Sequence, residues 1–363
     1  MLRVFEAFAG IGSQSIALRN LGIEHEVVAI SEIDKYAIKA YEAIHGPTNN
    51  LGDICKIDPS DIPDHDLFTY SFPCQDLSVA GKQAGLGEGT RSGLLYECEK
   101  IIEAKKPKYL LLENVKNLVG KKFKPQFDEW LDYLESLGYT NYWKVLNAKD
   151  YGVPQNRERV FVVSILGEHE PYKFADKIPL DKCIADILED EVDEKYYINK
   201  PFHLVNKGHQ AELDIKGMDC IKRVYATDKV SPSLTTMQGG LREPKILTLP
   251  CICASRGRYL DNPSSGESGK PTEQRLEFNT RDISNTITTV QKDNYLVEKT
   301  YRIRKLTPRE CFRLMGMRDE DIDKIQAAGI SNTQQYKMAG NSICIPVLEY
   351  IFKHLFIGDD KFE

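Results

Sequence analysis

Ser71-Phe72-Pro73-Cys74-Gln75 and Glu113-Asn114-Val115 each close an apolar run. That places one thiol and one carboxyl group at the carboxyl ends of two strand-like segments. A thiolate is a strong nucleophile, and a carboxyl group poised near neutral pH can deliver a proton. The pair suits an electron-poor pyrimidine. C5 of cytosine attacks a methyl donor poorly until a thiolate has added to C6, and the charge that builds on the ring during that addition must be met at N3. Cys74 is the candidate nucleophile and Glu113 the candidate acid. Each also has a plainer reading: a cysteine among nine is most often a small buried apolar side chain, and an acid at a strand end is often solvated. Pro73 and the glycine-rich stretch 81–93 argue for an accessible thiol, because such loops lie at the surface.

Strand-like and helical patterns alternate around these groups. Strands are expected over 2–7, 27–30, 67–71, 109–112 and 159–165, and helices over 13–21, 35–45, 93–105 and 127–137. This rhythm defines βα units on a parallel sheet. In such sheets ligands bind beyond the carboxyl ends of the strands, where Gly10, Glu32, Cys74 and Glu113 all fall. Phe8-Ala9-Gly10-Ile11-Gly12 follows the first strand and opens a helix, so its backbone can approach a ligand closely; alone, the glycine pattern is weak. About twenty residues further on, Glu32 closes the second strand, where an acid accepts hydrogen bonds from ribose hydroxyls. Asp53, in Gly52-Asp53-Ile54, is placed for an adenine amine. An adenosine cofactor follows. The loop lacks the Gly-Lys-Ser/Thr ending of a triphosphate site and the third glycine of a pyrophosphate fingerprint, so S-adenosylmethionine fits better than ATP or NAD.

At 363 residues, 28% charged and 41% hydrophobic, the chain reads as a globular protein of two domains. Its apolar runs are far shorter than the ~20 residues that cross a bilayer. Met1 leads almost directly into a strand with no basic-then-apolar leader, so the expected location is the cytoplasm. Nine cysteines without paired spacing argue against a disulfide framework, and Cys251-Ile252-Cys253 lacks the further ligands of a zinc site, so no metal is expected. The net charge is -6, but residues 195–313 carry 21 Lys and Arg against 13 Asp and Glu, a surplus of +8, which leaves -14 on the rest. Phosphate contact depends on local charge, and the middle of the chain supplies it. There Ser231-Pro232-Ser233-Leu234-Thr235-Thr236-Met237-Gln238 and Ser284-Asn285-Thr286-Ile287-Thr288-Thr289-Val290-Gln291 look like two copies of one element. Each copy reads equally well as an ordinary half-buried strand. The residues after them, Gly239-Gly240-Leu241-Arg242 and Lys292-Asp293-Asn294-Tyr295, offer turn-forming and base-contacting side chains. Two arginines two apart in Gln155-Asn156-Arg157-Glu158-Arg159 would share a strand face, in a surface salt bridge or at a ligand. Thr307 and Pro308 suit the start of a helix, and a last helix is expected over 346–355.

With these motifs in this order over 4–165 and again over 304–350, the chain resembles the DNA cytosine C5 methyltransferases of bacteria and their phages. The resemblance implies an α/β fold: a Rossmann-like S-adenosylmethionine-dependent methyltransferase domain with a mainly parallel sheet, plus a smaller β-rich target-recognition domain. The corresponding spans are 1–168 for catalysis and cofactor, 169–303 for target recognition, and 304–363 for a hinge and C-terminal helix returning to the first domain. It implies a methyl-donor pocket lined by Phe8, Gly10, Ile11, Gly12, Glu32, Ile33, Asp53, Ile54, Pro73, Leu94, Asn341, Ser342 and Ile343. It implies that Cys74 and Glu113 act on a flipped cytosine, that Arg159 contacts O2 of that base and helps orient Cys74, and that Arg157 supports the loop and phosphate. Residues 75–91 look like the family's catalytic loop, with Gln75, Ser78, Lys82, Gln83 and Arg91 at the DNA. This loop is one residue longer than the family's pattern, which leaves the hole-filling side chain open between Gln83 and its neighbours. The two repeated elements resemble the variable target-recognition region, with Gln238, Gly239, Gly240, Arg242, Gln291, Lys292 and Asn294 as DNA contacts. The implied partners are double-stranded DNA and a cognate restriction endonuclease acting on the same site, with the protein itself a monomer. A transfer-RNA cytosine methyltransferase of the same superfamily shares the catalytic pair but is disfavoured by the long basic middle. A catalytically silent DNA-binding regulator would leave the cysteine, acid and arginines without a role.

Overall fold

β1 (Leu2–Ala7) is buried on both faces from Val4 onward, as a strand covered by helices on either side must be. Its neighbours, β2 (His25–Ser31) and β3 (Leu67–Tyr70), both run parallel to it. β4 (Tyr109–Val115) continues the parallel set beside β3. β5 (Tyr139–Asn147) and β7 (Glu158–Leu166) complete the sheet as antiparallel strands, giving the order β2-β1-β3-β4-β7-β5. Because β2 and β3 lie on opposite sides of β1, the chain reverses its direction of winding there. That is the switch point at which open α/β sheets bind ligands. The computed structural model describes residues 1–73, 94–205, 209–237, 239–248, 253–259, 272–278, 294–295 and 301–358, with only the backbone in 253–259, 272–278 and 294–295.

The helices cover the sheet because their apolar residues recur every three or four positions. α2 (Lys35–His45) buries Ala37, Ala40, Tyr41 and Ile44, and starts at Asp34, whose side chain accepts from the Tyr36 N–H at 2.9 Å. α3 (Leu95–Lys105) and α4 (Lys124–Ser136) bury Leu95, Cys98, Ile101 and Ile102, and Phe127, Trp130, Leu131 and Leu134. Both join one core with Phe5, Phe68, Tyr70, Leu110, Leu112, Val160 and Val162 of the strands. α1 (Ser13–Asn20) packs against the last helix of the chain, and Asn20 Nδ2 donates to Glu349 Oε1 at 2.7 Å. The mainly parallel α/β fold is as expected. Boundaries move by a few residues: α3 starts at Leu95 rather than 93, and β2 and β7 run longer than the apolar runs that announced them. No helix among the described residues is long and apolar enough to cross a membrane.

The chain divides into two compact units. Unit 1 comprises Met1–Ile187, Lys229–Glu243 and Pro308–Glu363, and unit 2 comprises Leu188–Asp228 and Pro244–Thr307. Unit 2 holds a six-stranded mixed sheet built from β8 (Tyr197–Ile198), β9 (Phe202–Leu204), β10 (Ala211–Leu213), β11 (Arg223–Ala226), β13 (Lys245–Thr248) and β17 (Arg302–Lys305). Their order is β8-β17-β13-β11-β10-β9, and only β11 and β13 pair in parallel. The short helix α5 (Asp219–Lys222) precedes β11. A three-stranded antiparallel sheet of β14 (Cys253–Tyr259), β15 (Thr272–Phe278) and β16 (Asn294–Tyr295) also belongs to this unit. Unit 1 ends in α6 (Pro308–Arg313), α7 (Asp319–Ala327), α8 (Asn332–Asn341) and α9 (Ile345–Phe356).

Two stretches within 169–303, namely 169–187 and Lys229–Glu243, group with unit 1. The second carries the first Thr-rich element. Among its described residues only β12 (Ser231–Pro232) pairs as a strand, parallel to β6 (Gln155–Asn156). Beyond it, side chains take the place of a sheet ladder. Gln155 Oε1 accepts from Leu234 N at 3.0 Å while its Nε2 donates to Leu314 O at 2.6 Å, and Arg157 donates to Leu234 O at 3.1 Å. Leu234 and Met237 are buried beneath. Gly340 of α8 lies directly against this segment: a Cβ there would sit 1.9 Å from the Thr235 carbonyl oxygen. Gly340→Ala is therefore expected to destabilise the fold by roughly 1–3 kcal/mol or more and to open 229–243 to protease. Chemical denaturation with limited proteolysis checks this, and unchanged stability and cleavage would contradict it. The second Thr-rich element, 284–291, lies outside the described residues.

Candidate active site

At the end of β1 the chain turns through three left-handed residues, Phe8 (φ 55°), Gly10 (φ 58°) and Gly12 (φ 74°). The two glycines adopt this region without steric cost, and the turn brings Gly10 N within 2.9 Å of Glu32 Oε2. Glu32 Oε1 accepts from the N–H groups of Ile33 and Asp34, both at 2.8 Å. Asn50 stitches the next loop to this strand end: its Oδ1 accepts from Glu32 N at 3.1 Å and from Gly52 N at 3.0 Å. Ser31 Oγ donates to Gly52 O at 2.7 Å, and Asp53 caps the following turn by accepting from Cys55 N at 3.2 Å. Phe8 and Leu94 pack against the core cluster that contains Ile54 and Phe72. Ile33 stands 74% exposed beside the Glu32 carboxylate. From the C-terminal side, Lys337 of α8 pairs with Asp34 at 2.5 Å. Ser342 and Ile343 follow that helix and are buried, and Asn341 at its end is exposed.

Two strands away, β4 ends in Glu113 and Asn114. Glu113 is 9% exposed, and Arg159 of β7 places Nε 3.2 Å from its Oε1. Burial raises the Glu113 pKa above the ordinary carboxyl value, against the opposing pull of the Arg159 and then the Arg157 charge. Arg159 also donates to the Glu158 carbonyl at 2.8 Å. Asn114 Nδ2 donates to Phe72 O at 3.1 Å, which ties the strand end bearing the acid to the chain that leads through Pro73 to Cys74. Nothing in the sequence marked Asn114 for this role beyond its place next to Glu113. Arg157 is buried and gives its guanidinium to main-chain carbonyls, donating to Gly340 O at 2.9 Å and Ser342 O at 2.8 Å besides Leu234 O. It thus fastens the 340–342 turn to the chain entering β7.

Of the other residues singled out, Cys74, Gln75, Ser78, Lys82, Gln83, Arg91, Gln238, Gln291 and Lys292 lie outside the described residues, and Asn294 is described only as backbone of β16. Gly239 (φ 80°), Gly240 (φ 69°) and Leu241 (φ 59°) form a left-handed run, preceded by the buried Met237 (φ 45°), and end at the exposed Arg242. This turn belongs to unit 1, while Asn294 belongs to unit 2.

A parallel sheet with its switch point beside β1 and antiparallel strands at one edge defines a Rossmann-like α/β protein with a separate β-rich unit. The Dnmt2 methyltransferase of S. pombe has this fold, with a TM-score of 0.65 and 19% identity over 98% of this chain and 99% of that one. The profile of the C-5 cytosine-specific DNA methylases matches residues 2–356. The chain belongs to that family and is a DNA cytosine-5 methyltransferase. It is similar to the type II methyltransferase M2.ScrFI of Lactococcus lactis subsp. cremoris, at 40% identity over 98% of this chain and 99% of the relative. It is also similar to the orphan methyltransferase M.SPBetaI of Bacillus phage SPbeta, at 36% identity over 98% and 97%. The expected fold class and activity hold, and DNA takes precedence over the transfer-RNA and silent-regulator readings.

Proposed function

We propose that the protein methylates C5 of a cytosine rotated out of a specific duplex sequence, with S-adenosylmethionine as donor and Cys74 as nucleophile. The observation that carries this reading is Glu113: a buried acid with a raised pKa, 3.2 Å from Arg159 and joined through Asn114 to the backbone two residues before Cys74. Extruding the base costs a few kcal/mol, which pocket and phosphate contacts offset. Arg159 meets the cytosine O2 and holds the Glu113 carboxyl in place, while Arg157 adds a second positive charge acting on that carboxyl and braces the 340–342 turn. The Cys74 thiolate forms the S–C6 bond, the C5–C6 π electrons shift into the ring, and Glu113 supplies the proton that N3 takes up. C5, now nucleophilic, accepts the methyl group, with S-adenosylhomocysteine as the leaving group; a base then removes the C5 proton, the C6–S bond breaks, the thiolate is released and N3 returns its proton to the Glu113 carboxylate.

The residues at the sheet switch point suit the donor. Glu32 has three of its acceptor positions taken by backbone N–H groups, which leaves room for one more donor such as a ribose hydroxyl. The exposed Ile33 offers an apolar face for adenine, and Asp53 and Ile54 would line the same pocket, with Asp53 holding the adenine amine. Phe8, Gly10, Ile11 and Gly12 would surround the methionine part together with Pro73, Leu94, Asn341, Ser342 and Ile343. When bound, S-adenosylmethionine supplies the electrophilic methyl group. Gly239, Gly240 and Arg242 would read base edges from unit 1, and Asn294 with the second Thr-rich element from unit 2. An endonuclease of matching specificity is the partner in this reading, and DNA methylated by this protein would resist it.

The test is transfer of the labelled methyl group of S-adenosylmethionine to duplex DNA, with the product mapped by bisulfite sequencing. Label on C5 of cytosine at one recurrent sequence is expected. Label on an exocyclic amine, or none on duplex DNA, would contradict the reading.

A further inference from the structure

Beneath the turn at 8–12 lies a set of buried polar groups that the reaction does not use. Glu6, the penultimate residue of β1, is fully buried. Its Oε1 accepts from Ser15 N at 3.1 Å and Ser15 Oγ at 2.8 Å, and its Oε2 accepts from the Tyr41 hydroxyl at 2.8 Å. A carboxyl group with no access to water needs such partners, and each of these belongs to an element that frames the turn. Ser15 lies in the first turn of α1, directly after Gly12, and Tyr41 lies on α2.

Four residues after Tyr41, on the same face of that helix, His45 reaches the turn itself. Its Nε2 lies 3.1 Å from the Ile11 carbonyl oxygen. The carbonyl can only accept, so Nε2 carries the proton. Burial lowers the imidazole pKa to about 4, which keeps this neutral donor form at neutral pH. The Tyr41 and His45 rings lie 4.4 Å apart. Both press on Gly12, where a Cβ would meet His45 Nε2 at 2.4 Å and Tyr41 Cε2 at 2.6 Å. The turn they support includes Phe8, a bulky residue at φ 55°. Such a conformation persists only where its surroundings hold it.

We propose that Glu6, Tyr41 and His45 are positioning residues that fix the backbone of 8–12 in the shape that receives the adenosine cofactor. They set the affinity for the methyl donor without touching the transferred group. This rests on the assignment of that turn to S-adenosylmethionine. A purely structural role for the three would change stability and leave cofactor affinity alone.

The test is titration calorimetry of the full-length protein with S-adenosylhomocysteine, for the parent, Y41F, H45L and H45Q, alongside thermal melting and KM for donor and DNA. Y41F and H45L are expected to bind roughly tenfold more weakly, the effect of losing one well-placed hydrogen bond to a charged or buried group. KM for the donor should rise in step, with KM for DNA unchanged. H45Q, which keeps a side-chain N–H within reach of the Ile11 carbonyl, should recover most of the affinity. Y41F removes only one hydroxyl, so it decides the matter even if H45L fails to fold. Parent-like affinity in folded Y41F overturns the proposal. A parent protein that does not bind S-adenosylhomocysteine overturns instead the cofactor assignment beneath it.

Discussion

Cys74→Ala is expected to abolish methyl transfer, with kcat falling on the order of 10⁴-fold or more, the scale of losing a covalent nucleophile. Binding of duplex DNA and of S-adenosylhomocysteine should stay near the parent level. The asymmetry follows from the chemistry. Without a C6–S bond the ring keeps its aromatic electron distribution and C5 has no electron pair to offer, so no other side chain can substitute. The contacts that hold the base and the cofactor belong to other residues: Glu113 and Arg159 stay paired at 3.2 Å, and Glu32 keeps its bond to Gly10. Rapid-quench methylation assays alongside binding titrations measure both halves. Appreciable turnover by the alanine variant would remove Cys74 from the mechanism.

Glu113→Gln has the next largest expected effect, a loss of roughly 10²–10⁴ in kcat, the range for a positioned general acid. Glutamine can still hydrogen-bond to the ring but cannot release a proton to N3. The fold should tolerate the change, because Arg159 remains partly open to solvent at 18% side-chain exposure and is not left as a sealed, unpaired charge. The pH profile provides the sharper readout. Burial raises the Glu113 pKa, and an acid that must be protonated to act is active below its pKa and fails as pH rises through it. The parent should therefore lose activity on the alkaline side at a pH above the ordinary carboxyl range. Arg159→Met removes the charge that most opposes the shift, so that alkaline limb should move to higher pH while the overall rate falls. Glu113→Gln should lack the limb altogether. A limb at the same pH in the parent and both variants would assign it to another group.

The sheet and its helices were legible in the sequence because their hydrophobic periods are local. Runs such as Tyr109–Val115 and the spacing of Phe127, Trp130, Leu131 and Leu134 carry their own signal. The positions of Gly10, Glu32 and Glu113 at strand ends follow from those runs. What the sequence could not show depends on partners far away along the chain. Gln155 binds Leu314, and Gly340 presses on Thr235. Such pairings leave no periodic trace, so nothing at 231–238 told an ordinary half-buried strand from a segment whose Leu234 N–H and carbonyl are bonded by the side chains of Gln155 and Arg157. α6 starts at Pro308 as the Thr307-Pro308 pair suggested, but the bond that the Thr307 hydroxyl donates to Glu189, more than a hundred residues upstream, left no sign in the sequence. Asn114 and Arg157 serve main-chain carbonyls, and residue type alone does not distinguish that from a surface role. Glu6 broke the apolar pattern of the first strand, and only the packing of α1 and α2 around it supplies the reason.

A duplex carrying 5-fluorocytosine at the target site tests the central claim most directly. Fluorine at C5 cannot leave as a proton, so once the methyl group has been transferred the C6–S bond has no route to break. In the presence of S-adenosylmethionine the parent protein is expected to form a protein–DNA species that survives denaturation, with mass spectrometry placing the modified base on the peptide that contains Cys74. Absence of any adduct under conditions that methylate the unfluorinated duplex, or an adduct on a different residue, would contradict the account.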